Sequence, residues 1–491
     1  MSPEIFKYSV TLFFVLFTYY LSYKGMKKTN DLKGFSIGNK DLNPYVIGIT
    51  MAASISSTAT FVINPGFVYN DGLSAYLHYG VAATLGVLCA FLLLSKGFRK
   101  LGDSQGSLTI PDWIYHRFGH RGLSLFFAIM NLISITFIVL ILVGCSLLMS
   151  SLFPISQHIS LIIILLFVFS YVLMGGSYAH VYTNTFQGFM MIFIALFLFI
   201  HGFKYFDGGF ISSLESVSTS YAMIFNIESI LYNDFISVFL SGFVITFALM
   251  LQPHILTKIL YIKNDKDINK FILTTVIVGS CFSLMLFVGF YAKLSGLIIL
   301  KQDAVVATYI ATEFAATLWG QYLLTFITIT LLAAGMSTLD GILVALSSMV
   351  VNDIYIPYKG KDNIDSAKAL KLSRLFLILI GLISLVIAWN PPQLVGLFAQ
   401  KGVYALAAAS VIPIVVGVFS QEKVNPNYIF IASGIGFFGH LILNTFGGVA
   451  NPAVSSMYSI FMSALFIITI LFINKQINLA IFTGNSKRGT K

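Results

Sequence analysis

The chain is poor in charge. Of its 491 residues only 10% are Asp, Glu, Lys or Arg, against about 25% in soluble domains. So few ionic groups cannot clothe the surface of a folded chain this long, which excludes a water-soluble globule. Cysteine is scarce as well. Cys89, Cys145 and Cys281 each lie in an apolar stretch, with neither metal-ligand spacing nor the loop setting of disulfides, and read as small core hydrophobes. No stretch alternates apolar and polar residues between turn signals, which argues against a membrane β-barrel. Sequences that carry enzymatic chemistry are missing too. There is no His-Glu-x-x-His, no Gly-x-Ser-x-Gly and no Walker sequence, and the eight histidines are scattered. The first apolar stretch runs into Tyr19-Tyr20-Leu21-Ser22-Tyr23-Lys24 without an Ala-x-Ala cleavage site, so it reads as a retained helix and not a removed signal.

What the sequence has is apolar length. Hydrophobic residues make up 57% of it and its mean hydropathy is +0.88. They fall in long runs such as 161–169 and 190–200, and about 20 apolar residues cross the hydrocarbon as a helix. Thirteen spans are expected, at 4–22, 44–68, 74–95, 123–152, 158–175, 180–203, 233–256, 270–296, 319–351, 369–389, 394–418, 427–445 and 453–473. The gaps leave no room for a soluble domain; the longest, 204–232, reads as a polar external loop containing Gly208 and Gly209.

The formal charge is +10. In a soluble protein that would suggest nucleic acid; here the basic residues sit between spans and set topology, and no nucleic-acid partner is expected. With the N-terminus outside, the inside connections hold Lys24, Lys27, Lys28, Lys33 and Lys40, then Lys96, Arg99, Lys100, Arg117 and Arg121. Later ones hold Lys258, Lys263, Lys266 and Lys270, then Lys359, Lys361, Lys368, Lys371 and Arg374, then Lys423 and the tail residues Lys475, Lys487, Arg488 and Lys491. These are 24 of the 29 basic residues, and one span more or fewer would break the alternation. The expectation is a multi-pass protein of the plasma membrane with a cytoplasmic C-terminus, lipid around it and no obligate protein partner.

Two spans differ from the rest. The second, from Ile49 to Gly66, is crowded with small hydroxyl residues and ends in Asn64-Pro65-Gly66. The seventh carries Leu251-Gln252-Pro253-His254-Ile255-Leu256. Interrupted helices that open two five-span units point to an inverted-repeat transporter, because a broken helix frees amides and carbonyls that are tolerated at mid-membrane only beside a cavity or a ligand. The units would be 44–203 and 233–418, with 1–43 and 419–491 peripheral. The competing reading is that Ser/Thr-rich helices merely pack closely against their neighbours.

The ninth span contains Ala334-Gly335-Met336-Ser337-Thr338-Leu339-Asp340. Two adjacent hydroxyls and a carbonyl one turn earlier supply half the oxygen shell of a hard cation such as sodium, and carbonyls of a broken helix supply the remainder; equally, Ser and Thr bond back to their own helix. Asp340 is a carboxylate inside a span and by default a functional residue, either ionised beside a cation or protonated. Lys401 pairs with it, binds solute, or snorkels to the interface. Asn184, in Tyr182-Thr183-Asn184-Thr185-Phe186-Gln187, completes a polar site or caps a helix. His254 beside the interruption reads as a packed, hydrogen-bonded side chain before a proton carrier.

In order along the chain, Ala53-Ser54-Ile55-Ser56-Ser57 with Pro65-Gly66, Gly175-Gly176 to Thr183-Asn184 and Gln187, Gln252-Pro253-His254, and Ala334 to Thr338 through Asn352-Asp353-Ile354-Tyr355 resemble the sodium:solute symporter family across nearly the whole chain. The resemblance implies an all-α, leucine-transporter-type core of five plus five inverted helices, with spans one, twelve and thirteen outside it. It implies a sodium site formed by the carbonyls of Ala53, Ser56 and Ala334 and the hydroxyls of Ser337 and Thr338. Solute contacts would come from Ser57, Thr60, Tyr79 and Gln252. Many members carry an aspartate where this chain has Asn184, and a small residue where it has Asp340, so the carboxylate looks moved to a facing helix, and a second cation or proton site at Asn184 and Asp340 is expected.

Gln252-Pro253-His254 looks like the proline branch, and Pro253-His254 is also similar to the acetate and pantothenate branches. The fourth span has no basic residue, where sialic-acid-type members place an arginine. The expected activity is therefore sodium-coupled symport of an amino acid or small monocarboxylate. The alternatives are a proton-coupled transporter of the same fold and a transporter-like membrane sensor.

Overall fold

The computed structural model describes residues 1–38, 40, 42–360, 365–420 and 422–473; Lys361, Lys475, Lys487, Arg488 and Lys491 lie outside the described residues. Among the described residues, ten helices are long and apolar enough to cross a membrane, and two further pairs are each bent at a short break, making twelve if each pair is one span. The sequence count of 13 is reached only by dividing Gln157–His201, a 45-residue stretch with non-helical backbone at Gly176. At 1.5 Å per residue that stretch is about 67 Å long, twice the hydrocarbon thickness.

Local sequence places the helix ends. Ser2, Asn43, Ser156, Thr317, Asp365 and Asn425 cap the helices that follow them, each accepting from a backbone amide of the first turn. Pro3, Pro44 and Pro426 occupy the first helical position, where a missing N–H removes nothing.

The breaks have equally local causes. The first divides Pro44–Ile55 from Ala59–Asp71 with a 53° bend. Ser56 leaves helical geometry at φ −90° and ψ 73°, and the Ser57 hydroxyl accepts from the Ala59 amide at 3.0 Å, restarting the chain. The second divides Ile236–Leu249 from Pro253–Tyr261 with a 64° bend. Pro253 cannot donate to the preceding turn and forces Gln252 into extended backbone, φ −68° and ψ 150°. Both expected interruptions are therefore present.

Burial sorts the helices into layers. The most hydrophobic stretch of Leu318–Lys359 is 89% buried and forms the centre, whereas that of Pro3–Met26 is 22% buried and lies at the edge, as do Pro426–Thr445 and Pro452–Ile473 at 33%. Outward residues such as Leu92, Leu93, Phe189 and Phe193 are exposed, the pattern of a surface solvated by acyl chains. The segment 204–232 is more than a loop. It forms a helix at Phe210–Glu215 and ties back to the first broken span, where Tyr221 donates to the Val68 carbonyl and Asn226 to the Asp71 carbonyl.

Candidate functional site

The two breaks and the central helix converge. The Ser337 hydroxyl lies 3.0 Å from the Ala53 carbonyl and 2.8 Å from the Ala334 carbonyl. The neighbouring Thr338 hydroxyl lies 3.0 Å from the Ser54 carbonyl. Ser337 thus combines both sequence readings, bonding back to its own helix and across to the broken one, while Thr338 reaches across. Ser337, Thr338, Ala53 and Ala334 are wholly buried, and Ser56 nearly so at the C-cap of the half-helix. The result is a cluster of neutral oxygens at the point where Pro44–Ile55 stops. Its chemistry suits a hard monovalent cation; among the described residues no group of three His, Cys, Asp or Glu gathers to hold a softer metal.

Asn184 belongs to this cluster. Its amide donates to the Ser337 carbonyl at 2.7 Å and to the Ser54 hydroxyl at 3.2 Å. Its Oδ1, and both polar atoms of Gln187 one turn on, are buried without a hydrogen-bond partner among the described residues. Asp340 faces a different neighbour. His180 Nδ1 lies 2.8 Å from Oδ1, and Tyr171 donates to Oδ2 at 3.2 Å. His180 Nε2 approaches the Ser54 hydroxyl at 3.4 Å, so a chain of polar contacts runs from the carboxylate to the helix break. Lys401 is not part of it. That residue is exposed, and its carbonyl lies 3.1 Å from His440 Nε2, which leaves the snorkelling alternative.

Beside the oxygen cluster lies a cavity of about 180 Å³ between the broken spans. Thr60, Tyr79 and Gln252 line it, together with Ser56, Asn64, Gln400 and Tyr404. Ser57, expected as a solute contact, does not; it is fully buried and its hydroxyl is engaged with the Ala59 amide. The Tyr79 hydroxyl accepts from Tyr232 at 2.8 Å and from Gln400 at 3.1 Å, closing one end. No Asp, Glu, Lys or Arg among the described residues lines the cavity.

Sequence reasoning missed three participants. His180 precedes Asn184 by four residues, the spacing that puts two side chains on one helix face, and that signal was available. Gln400 carries no local signal. Lys258 was placed among the charges of an inside connection, but it sits in the second arm of the second broken span and is 1% exposed.

The match to the sodium:solute symporter family profile covers residues 35–436. The chain is 26% identical over 451 residues to the sodium/pantothenate symporter of Haemophilus influenzae, covering 89% of this chain and 90% of that one. It is 27% identical over 383 residues to the high-affinity proline transporter PutP of Bacillus subtilis, covering 75% and 78%. Among solved structures, a substrate-bound, outward-open sodium-coupled sialic acid symporter superposes with a TM-score of 0.75 at 17% identity, covering 93% of this chain and 96% of that one. A nucleobase-cation-symport-1 transporter in a closed conformation superposes with a TM-score of 0.57 at 12% identity, covering 92% and 96%. These likenesses establish the leucine-transporter-type fold expected from the sequence.

Proposed function

This chain belongs to the sodium:solute symporter family, and from that premise we propose that it carries a small organic solute into the cell together with sodium, by alternating access. The observation that supports the reading best is the Ser337 hydroxyl held between the carbonyls of Ala53, on the first broken span, and Ala334, on the central helix. A hydroxyl is donor and acceptor. Rotated away from the carbonyls, it turns its lone pairs to a cation that those carbonyls also meet. Sodium is then a second cargo held by Ala53, Ser56, Ala334, Ser337 and Thr338, and its departure lets the hydroxyls close on the carbonyls again.

The inverted repeats would be 44–203 and 233–418, with the N-terminus outside and the C-terminus in the cytoplasm, as the basic connections favour. The solute occupies the adjoining cavity against Thr60, Tyr79 and Gln252. Without a charged lining residue, a carboxylate would be met by amides at the helix break and by neutral donors. That favours a neutral amino acid or a small monocarboxylate over a solute with several charges.

The deciding experiment is uptake of a labelled solute panel into proteoliposomes, with and without an inward sodium gradient. Accumulation of one amino acid or monocarboxylate only with the gradient is the expected result. If no solute responds to sodium, the symport reading falls.

A further inference from the structure

We propose that Asn451 is a positioning residue for the solute cavity, through which the peripheral helix Pro452–Ile473 holds closed the end that Tyr79 walls off. The Tyr79 ring lines the cavity, and Tyr232 forms the layer behind it. The two rings meet at a centroid distance of 5.9 Å. Tyr232 is buried, and its hydroxyl donates to that of Tyr79 at 2.8 Å. Gln400 donates to the same Tyr79 oxygen. Tyr79 therefore cannot swing away from this end without leaving both partners.

Both partners are fastened to the last helix. Leu231, the neighbour of Tyr232 in the chain, presents its carbonyl to Asn451 Nδ2. Farther along the same helix the Ser456 hydroxyl donates to the Tyr404 carbonyl at 3.1 Å. Tyr404 lies about one turn beyond Gln400 on the helix Val395–Phe419. The contacts thus form a closed circuit, from Tyr79 through Tyr232 and Leu231 to the last helix, and back through Tyr404 and Gln400. Asn451 is buried, and its neighbours fix its orientation. Its Oδ1 accepts from the Ala453 amide at 2.8 Å, which leaves Nδ2 for Leu231. An ionised aspartate there would keep the first bond, favoured at a helix N-terminus, and could not make the second.

The last helix, outside the proposed repeats, then sets how readily this end of the cavity opens. Calling the enclosed molecule a transported solute rests on the symport reading above; the closure does not.

The test places a reporter in the cavity wall, Ala83→Cys. Its labelling by a maleimide is followed in detergent without sodium or solute, and the labelling of the protein that lacks it is subtracted. One lost hydrogen bond is worth a factor of about two to twelve. Asn451→Asp keeps a good helix cap and loses the donor, so labelling should quicken by that factor, with a melting temperature within a few degrees of the parent. Tyr232→Phe should act alike. The double variant should be no faster than the faster single, because both changes release one latch. In proteoliposomes the solute concentration for half-maximal uptake should rise in Asn451→Asp by a similar factor, more than the maximal rate changes. Should Asn451→Asp not fold, Ser456→Ala breaks the circuit at its other bond and decides in the same way. Unchanged labelling in Asn451→Asp overturns the proposal and makes the residue a helix cap alone; so do single-variant factors that multiply in the double. If uptake by the unaltered protein ignores sodium, the symport reading fails, and the labelling rates still decide the closure.

Discussion

Ser337 and Ala53 stand 284 positions apart in the chain and meet at 3.0 Å. One lies on the most enclosed helix, the other on the last turn before a break. Their contact joins the two elements that must separate if the site is to open. It also fixes what a substitution there would do.

Replacing Ser337 or Thr338 by Ala removes one oxygen of the proposed sodium shell while leaving the helix backbone intact. Ala also favours the helical conformation, so little stability is lost. The expected result is a rise of about tenfold or more in the sodium concentration for half-maximal uptake, with a melting temperature within a few degrees of the parent. Losing one ligand of a charged species is worth about 1.5–3 kcal/mol, which sets that scale. Uptake measured against sodium concentration, at saturating solute, checks it. An unchanged sodium requirement in both variants would remove these hydroxyls from the site.

Gly176 offers a test of the fold. Its φ of +50° is one that side chains rarely adopt, and a Cβ there would overlap the Phe35 ring and carbonyl. Gly176→Ala should therefore destabilise by about 2–3 kcal/mol or abolish folding. Gly434→Ala, in the exposed helix Pro426–Thr445 with open space at its Cβ, should be neutral or slightly stabilising. Thermal unfolding followed by size-exclusion fluorescence separates the two.

Much of this architecture was legible because its causes are local. Apolar length, capping residues and the prolines at 44, 253 and 426 act within a few residues, and the pair Ser337-Thr338 is conspicuous wherever it lies. What stayed hidden depended on distant partners. Asp340 announced itself as a buried carboxylate, but its contacts with His180 and Tyr171 come from a helix about 160 residues earlier. Lys258 resembled a topology-setting charge because basic residues follow it at 263, 266 and 270; only the turn back at Pro253 buries it. Ser57 looked like a solute contact in a hydroxyl-rich run, yet the chain needs its side chain to satisfy the Ala59 amide.

Acid should loosen the packing of the helix that carries Glu313. This carboxylate, in the helix Val305–Ala315, takes hydrogen bonds from Lys204, His201 and Tyr205. Partial burial alone would raise its pKa, but the bonds from Lys204, His201 and Tyr205 outweigh it and hold the group below its ordinary 4.5. A depressed carboxylate contributes stability that is present above the unfolded value and lost as the pH falls through the lower folded one. The melting temperature should therefore drop as the pH is lowered below about 5, and Glu313→Gln should flatten that part of the curve while lowering stability at neutral pH. Parallel curves for the two proteins would assign the acid sensitivity elsewhere.

Tyr79 offers a test that separates the proposed solute site from the proposed sodium site. Its ring lines the cavity, and its hydroxyl accepts from both Tyr232 and Gln400, so it fastens the segment before the seventh span and the helix Val395–Phe419 to the cavity wall. Tyr79→Phe keeps the ring and its contact with Phe67 but orphans two donors. Each lost bond is worth about 0.5–1.5 kcal/mol, so closure over the solute should weaken by about five- to 150-fold. The solute concentration for half-maximal uptake should rise by that factor. The sodium requirement, measured at saturating solute, should stay unchanged, because no atom of Tyr79 belongs to the cluster of Ala53, Ala334, Ser337 and Thr338. A variant in which both requirements shift together would mean that the two sites close as one unit, with the bonds at Tyr79 holding the cation as well as the solute.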